Sequence, residues 1–112
     1  MHRAFLLLLA LSSLQAQSDW PSFGGDPGAA RYSRLDQINT TNVARLQRAW
    51  TFHTGQPGSE GIPIVVDGVM YLVAANGIFA VEPETGRQLW HYPAPQVAMR
   101  GLAFWPGREG TH

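Results

Sequence analysis

Between residues 63 and 92 the chain is interrupted at short intervals by residues that reverse a backbone, and this confines it to hairpins. Pro63–Val66 and Val69–Ala74 are apolar, β-branched runs separated by Asp67-Gly68 alone. A two-residue hairpin turn that preserves strand twist requires positive φ at both central positions, which Asp-Gly accommodates. Asn76-Gly77 predicts a second turn before Ile78–Val81, and Glu84-Thr85-Gly86 a third before Gln88–Tyr92. Four short strands joined by tight turns make one antiparallel meander. Such a sheet, apolar on both faces, cannot hide them alone. It needs a neighbouring sheet on each side, which is the packing logic of radial repeat architectures.

The flanks are less regular. Ser18–Ser33 holds Trp20-Pro21, Gly24-Gly25, Pro27-Gly28 and Arg31-Tyr32-Ser33, with neither a helical nor a strand period. In Ile38–Gln47, Asn39, Thr40 or Thr41 can cap, and Val43, Ala44 and Leu46 give one short apolar face, so a helical turn or two is expected there. From Arg48 the period becomes two: Ala49, Thr51 and His53 alternate with Trp50, Phe52 and Thr54, up to the break at Gly55–Gly61. Beyond the loop Pro93–Pro95, Leu102–Trp105 is expected to start a further strand. The expected organisation is a leader over residues 1–16, an N-terminal lead with a short helix over 17–47, and a first sheet with the beginning of a second over 48–112. One four-stranded unit with unpaired faces reads as a fragment.

The leader carries its own signature. Met1–Arg3 is a short positive start, Ala4–Leu11 is a continuous apolar run too short to anchor in a bilayer, and Leu14-Gln15-Ala16 resembles a cleavage site. A secretory signal peptide is expected, with a mature chain beginning near Gln17, no transmembrane anchor after its removal, and a periplasmic or secreted destination. The formal net charge is zero, and all eight basic residues are arginine. No basic face for nucleic acid is expected from that balance. The absence of cysteine excludes disulfides, thiolate zinc sites and a cysteine nucleophile from these 112 residues. Of the four histidines, no pair has metal-ligand spacing, and none is assigned as a ligand.

Ala80-Val81-Glu82-Pro83-Glu84-Thr85-Gly86-Arg87-Gln88-Leu89-Trp90 combines a small residue, an acidic residue two later, Thr-Gly, and a tryptophan four after the glycine. Taken alone, these residues also describe an ordinary hairpin with a core tryptophan. They closely resemble the tryptophan-docking motif of the β-propeller dehydrogenases that depend on pyrroloquinoline quinone (PQQ), with Glu82 where aspartate is commoner. Gly86 supplies the left-handed turn, small Ala80 leaves room for a neighbouring blade's aromatic, and Trp90 is expected to lie between blades. The resemblance extends in order through Trp20–Asp26, Arg31-Tyr32-Ser33, Leu35–Asn39, Ala49-Trp50, Thr54-Gly55, Glu60–Tyr71 and Arg100–Trp105. The implied fold is all-β: one four-stranded antiparallel blade plus flanking strands of a truncated, eight-bladed β-propeller.

The resemblance also implies a cofactor site. Arg100 stands where the family places an arginine against the flat, tricarboxylated quinone, and a planar guanidinium suits carboxylates. Gly101 beside it lets the backbone approach the axis, and Glu60 matches a glutamate near the cofactor. Without the resemblance, Arg100 is a solvated edge charge and Glu60 a loop carboxylate before a strand. No catalytic residue and no metal ligand is assigned within these residues. The calcium ion that polarises the quinone, its ligands and the aspartate base are implied in later blades.

The implied activity is oxidation of an alcohol, polyol or aldose by hydride transfer to PQQ, with a cytochrome c or a quinone as electron acceptor. Many alcohol-oxidising relatives carry adjacent cysteines shortly before the Arg-Gly pair. Here Gln96-Val97-Ala98-Met99 occupy that region, which leans toward the sugar- and polyol-oxidising side. The segment alone is expected to be inactive. Two other classes use the same blade: a non-catalytic propeller scaffold in envelope-protein assembly, and a secreted binding or sensor module.

Overall fold

The computed structural model describes residues 19–57, 61–95, 97 and 100–107. The expected signal peptide over 1–16 and the candidate Glu60 lie outside the described residues. Four strands form: β1 (Ile64–Val66), β2 (Val69–Ala74), β3 (Gly77–Val81) and β4 (Gln88–Tyr92). They pair in sequence order as one antiparallel sheet, β1-β2-β3-β4. The four runs delimited by turn residues are thus the four strands, and the all-β expectation holds.

Turn chemistry sets the register. Asp67 (φ 48°) and Gly68 (φ 74°) both take the left-handed conformation, as an Asp-Gly hairpin requires. The second turn departs from expectation by one residue. Ala74 pairs with Gly77, so Ala75-Asn76 is the turn and Gly77 already belongs to β3. Glycine is needed there for space: a Cβ on Gly77 would stand 2.1 Å from the Tyr92 carbonyl oxygen. In the third turn Gly86 has φ 71° and donates to the Glu82 carbonyl oxygen at 2.8 Å. The ladder between β3 and β4 slips at Ala80/Val81, where Ala80 pairs with Trp90 and Val81 with Gln88, leaving Leu89 as the extra residue.

Alternation divides the sheet into two faces. Directly opposed residues place Met70, Leu72, Phe79, Val81 and His91 on one side. There Ala74, Phe79 and Val81 form a buried cluster, with Phe52, Met70 and Leu72 packed against it. Phe52 meets Phe79 edge-on at 5.3 Å, and His91 stacks on Phe79 at 4.2 Å. The other face carries Tyr71, Ala80, Trp90 and Tyr92. Ala80 is fully buried, but Trp90 is 45% exposed and Tyr92 is 62% exposed. Among the described residues, this outer end of the sheet is an exposed aromatic surface.

Of three flanking expectations, the helical turn is met at its shortest and two are corrected. The helical segment shrinks to a single 3-10 turn, Val43–Arg45, with Asn42 as its cap. The Asn42 side chain instead reaches backward to accept from the Asn39 amide at 2.9 Å. Asn39 makes its own local loop through Thr41, so the polar side chains compete with helix rather than start it. Arg48–Thr54 lies along the sheet without joining a ladder. Leu102–Trp105 forms no strand either; its hydrogen bond is from the Phe104 amide to the Pro21 carbonyl oxygen, 2.9 Å. A strand needs a continuous ladder, and along Leu102–Trp105 this one backbone bond to the lead does not extend into one among the described residues.

Candidate functional site

The docking motif builds its turn from side chains as well as backbone. Glu82 accepts from the Thr85 hydroxyl and pairs with Arg87 at 3.3 Å. The Thr85 Oγ in turn accepts from the Arg87 amide at 3.2 Å. The Thr85 hydrogen bond, and then the Arg87 guanidinium, hold the Glu82 carboxyl below the usual carboxylate range. This turn receives a tryptophan, but not Trp90. The Trp50 indole lies on Gly86, where a Cβ would come 2.5 Å from the ring. Its Nε1–H donates to the Pro83 carbonyl oxygen at 2.9 Å. Trp90 instead packs beside Tyr71, ring centres 5.9 Å apart, with nearly half its surface open. The aromatic on this turn is Trp50, supplied from ahead of β1 and seated on Gly86, not the neighbouring blade's aromatic expected beside Ala80. Its sequence signal was a second tryptophan in a period-two run just before the first strand.

Arg100 and Gly101, two of the three cofactor residues nominated from sequence, lie where two loops meet. Ile62 bridges Gly101 in parallel, so the chain ahead of β1 and the Arg100-Gly101 pair run side by side. Gly101 has φ 122°, and a Cβ there would stand 3.0 Å from the Ile62 carbonyl oxygen. Only glycine permits this approach. Arg100 is exposed and, with Gly101, Leu102, Ala103 and Phe23, lines a cleft of about 510 Å³. That volume falls within the common range for small-molecule sites. Glu60 lies two positions ahead of the bridged Ile62, outside the described residues.

The cleft suits a flat polycarboxylate: one exposed arginine lines it together with otherwise apolar residues. A ring system can lie against Phe23 and Leu102 while a carboxylate meets Arg100. Among the described residues no three His, Cys, Asp or Glu side chains are grouped to hold a metal ion. Two contacts escaped sequence reasoning. Asn76 Nδ2–H donates to the Thr54 carbonyl oxygen at 3.0 Å, tying the β2–β3 turn to the start of the Gly55–Gly61 loop. His91 Nε2 lies 3.1 Å from the Asn76 carbonyl oxygen. Phe23, the aromatic wall of the cleft, was also not nominated.

The family model for the PQQ-dependent glucose/ethanol/alcohol dehydrogenase β-propeller domain matches residues 20–112. The chain is similar to the quinohemoprotein alcohol dehydrogenase of Comamonas testosteroni, 40% identical over 104 residues, covering 80% of this chain and 14% of that protein. It is also similar to the quinoprotein glucose dehydrogenase of Escherichia coli (strain K12), 39% identical over 114 residues, covering 86% of this chain and 14% of that one. The crystal structure of the Comamonas testosteroni enzyme superposes with a TM-score of 0.64 at 44% identity, over 71% of this chain and 12% of that one. The chain thus spans about one-seventh of the length of these relatives, and alcohol- and sugar-oxidising relatives match it almost equally well. The docking turn, the Ile62–Gly101 approach and these similarities together show that the chain belongs to the PQQ-dependent β-propeller family of glucose, ethanol and alcohol dehydrogenases.

Proposed function

We propose that this segment is the N-terminal blade of a periplasmic PQQ-dependent dehydrogenase that oxidises an alcohol, polyol or aldose, and that it supplies one side of the cofactor site. The observation that carries this reading is the Ile62–Gly101 bridge, which sets Arg100 at the mouth of a cleft of cofactor size. When bound, PQQ supplies the hydride acceptor for substrate oxidation. Within the segment, Arg100 orients the quinone by pairing with a carboxylate, Gly101 admits it to the backbone, and Glu60, two positions ahead of Ile62 in the sequence, is a further cofactor contact. Beside a tricarboxylate, Glu60 is tolerable when protonated or hydrogen-bonded, or next to a cation such as Arg100.

Calcium, its ligands and the catalytic aspartate belong to other blades in this reading, so the 112 residues alone bind no calcium and turn over no substrate. Electrons then pass to a cytochrome c or a membrane quinone. The test is PQQ titration of the full-length apo-enzyme. Arg100→Lys keeps the charge but loses the two-pronged hydrogen bond, so affinity should fall about tenfold or more, the value of one charge-assisted hydrogen bond. Unchanged affinity in both Arg100→Lys and Arg100→Ala would return Arg100 to the class of solvated edge charges.

A further inference from the structure

The N-terminal lead runs toward the same cleft. Trp20 exchanges two backbone hydrogen bonds with Val65, at 2.7 and 2.9 Å, in antiparallel sense. Asp19 Oδ1 accepts from the Asp67 amide at 3.0 Å, fixing the lead against the far end of β1. From there the chain proceeds opposite to β1, toward the level of Ile62. Pro21 then accepts from the Phe104 amide, at 2.9 Å. Residues 19–21 are thus held between β1 and the Arg100–Phe104 run, and two residues later Phe23 reaches the cleft beside Arg100.

The loop that follows is folded so as to return a cation to Phe23. Gly24 is buried, and a Cβ on it would stand 2.3 Å from the Ala29 Cα. Asp26 closes the lap by accepting from the amides of Ala29 and Ala30, and the Arg31 amide donates to the Gly24 carbonyl oxygen at 2.9 Å. Ala29 and Arg31 both adopt positive φ, 51° and 54°, an unfavourable conformation for side-chain-bearing residues that persists where the surroundings impose it. Its outcome is the Arg31 guanidinium 5.0 Å from the centre of the Phe23 ring. A cation over one face of an aromatic ring holds it electrostatically. Phe23 is nonetheless 46% exposed. An aromatic ring pinned in place but left open beside a guanidinium-lined cleft is arranged as a binding surface.

We propose that Phe23 is a further cofactor-contacting residue, forming an aromatic wall against which the flat quinone lies, and that Arg31 is a positioning residue that fixes the ring from behind. This rests on the reading of the Arg100 cleft as the PQQ site. It assigns a function to the Arg31-Tyr32-Ser33 segment and to Phe23, neither of which the proposed chemistry otherwise uses.

The experiment is PQQ titration of the full-length apo-enzyme by calorimetry, with the absorbance band of the bound quinone recorded in parallel. Phe23→Ala should weaken binding about tenfold, the worth of one aromatic contact, and Phe23→Tyr should stay within about twofold. Arg31→Ala should weaken it about two- to fivefold, and Arg31→Lys should recover most of that. Phe23→Leu keeps apolar bulk without the flat ring. It should shift the quinone band, a change that a role in folding alone would not produce, and it decides the matter if Phe23→Ala fails to fold. Wild-type affinity and an unshifted band in Phe23→Leu, alongside weakened binding in Arg100→Lys, would overturn the role of Phe23 and leave the cofactor site standing. Unchanged binding in the Phe23 and Arg100 variants together would overturn the site itself.

Discussion

Gly68 and Gly86 provide a matched pair for measuring what the docking turn contributes. Both have nearly the same backbone conformation, φ 74° and φ 71°. A Cβ on Gly68 would meet nothing within 4 Å, whereas one on Gly86 would stand 2.5 Å from the Trp50 ring. Alanine at either position incurs the cost of holding an L-residue in the left-handed region, about 1–2 kcal/mol. Gly68→Ala should cost that and little more. Gly86→Ala must also displace Trp50, losing the indole hydrogen bond to Pro83, worth about 0.5–1.5 kcal/mol, and part of the packing of a half-buried tryptophan, about 1–2 kcal/mol. Its total should therefore be about 3–5 kcal/mol. The assay is urea denaturation of the full-length apo-enzyme for the two single variants, for Trp50→Ala, and for the Gly86→Ala/Trp50→Ala double variant. In the double variant the clash has no partner, so the two effects should be strongly non-additive. Equal destabilisation by Gly68→Ala and Gly86→Ala would refute the assignment of Trp50 as the docked residue.

Trp90 is 45% exposed in this segment; if a neighbouring blade covers that face in the full-length enzyme, Trp90→Ala should cost about 3–5 kcal/mol there. A loss below about 0.5 kcal/mol in the same denaturation assay would show that the indole stays exposed. Glu82 gives a pH dependence of defined sign. Its folded-state pKa lies below the unfolded value, so its stabilising contribution is complete above the unfolded carboxylate pKa and is lost as pH falls through the folded one. Glu82→Gln should therefore lower the denaturation midpoint near neutral pH and leave it unchanged under strongly acidic conditions. A uniform decrease at all pH values would implicate turn geometry instead of charge.

The strands and two of the three turns were legible in the sequence because they depend on near neighbours. Asp67-Gly68 and Glu84-Thr85-Gly86 reverse the chain through their own φ preferences, and β-branched runs on either side leave one pairing. The Asn76-Gly77 reading failed by one residue for a non-local reason. Gly77 is required by the Tyr92 carbonyl oxygen on β4, not by the turn it follows. The helical segment is held to a single 3-10 turn because Asn39, Thr41 and Asn42 satisfy one another in a loop, which a count of capping residues does not distinguish from a longer helix start.

By itself, then, the sequence determined the antiparallel meander, its turn glycines, the family resemblance and the pairing of Arg100 with Gly101. Those features are encoded in residues within a few positions of each other. Tertiary structure decided which tryptophan docks, since the Trp50–Pro83 hydrogen bond spans 33 positions. It also decided that the lead lies along β1, since the Asp19–Asp67 bond spans 48. The placement of Phe23 beside Arg100 is of the same kind. Such contacts have no local periodicity. They arise when a formed sheet offers an edge, a glycine floor or a cleft, and a distant segment with a complementary side chain reaches a lower free energy docked there than left in water.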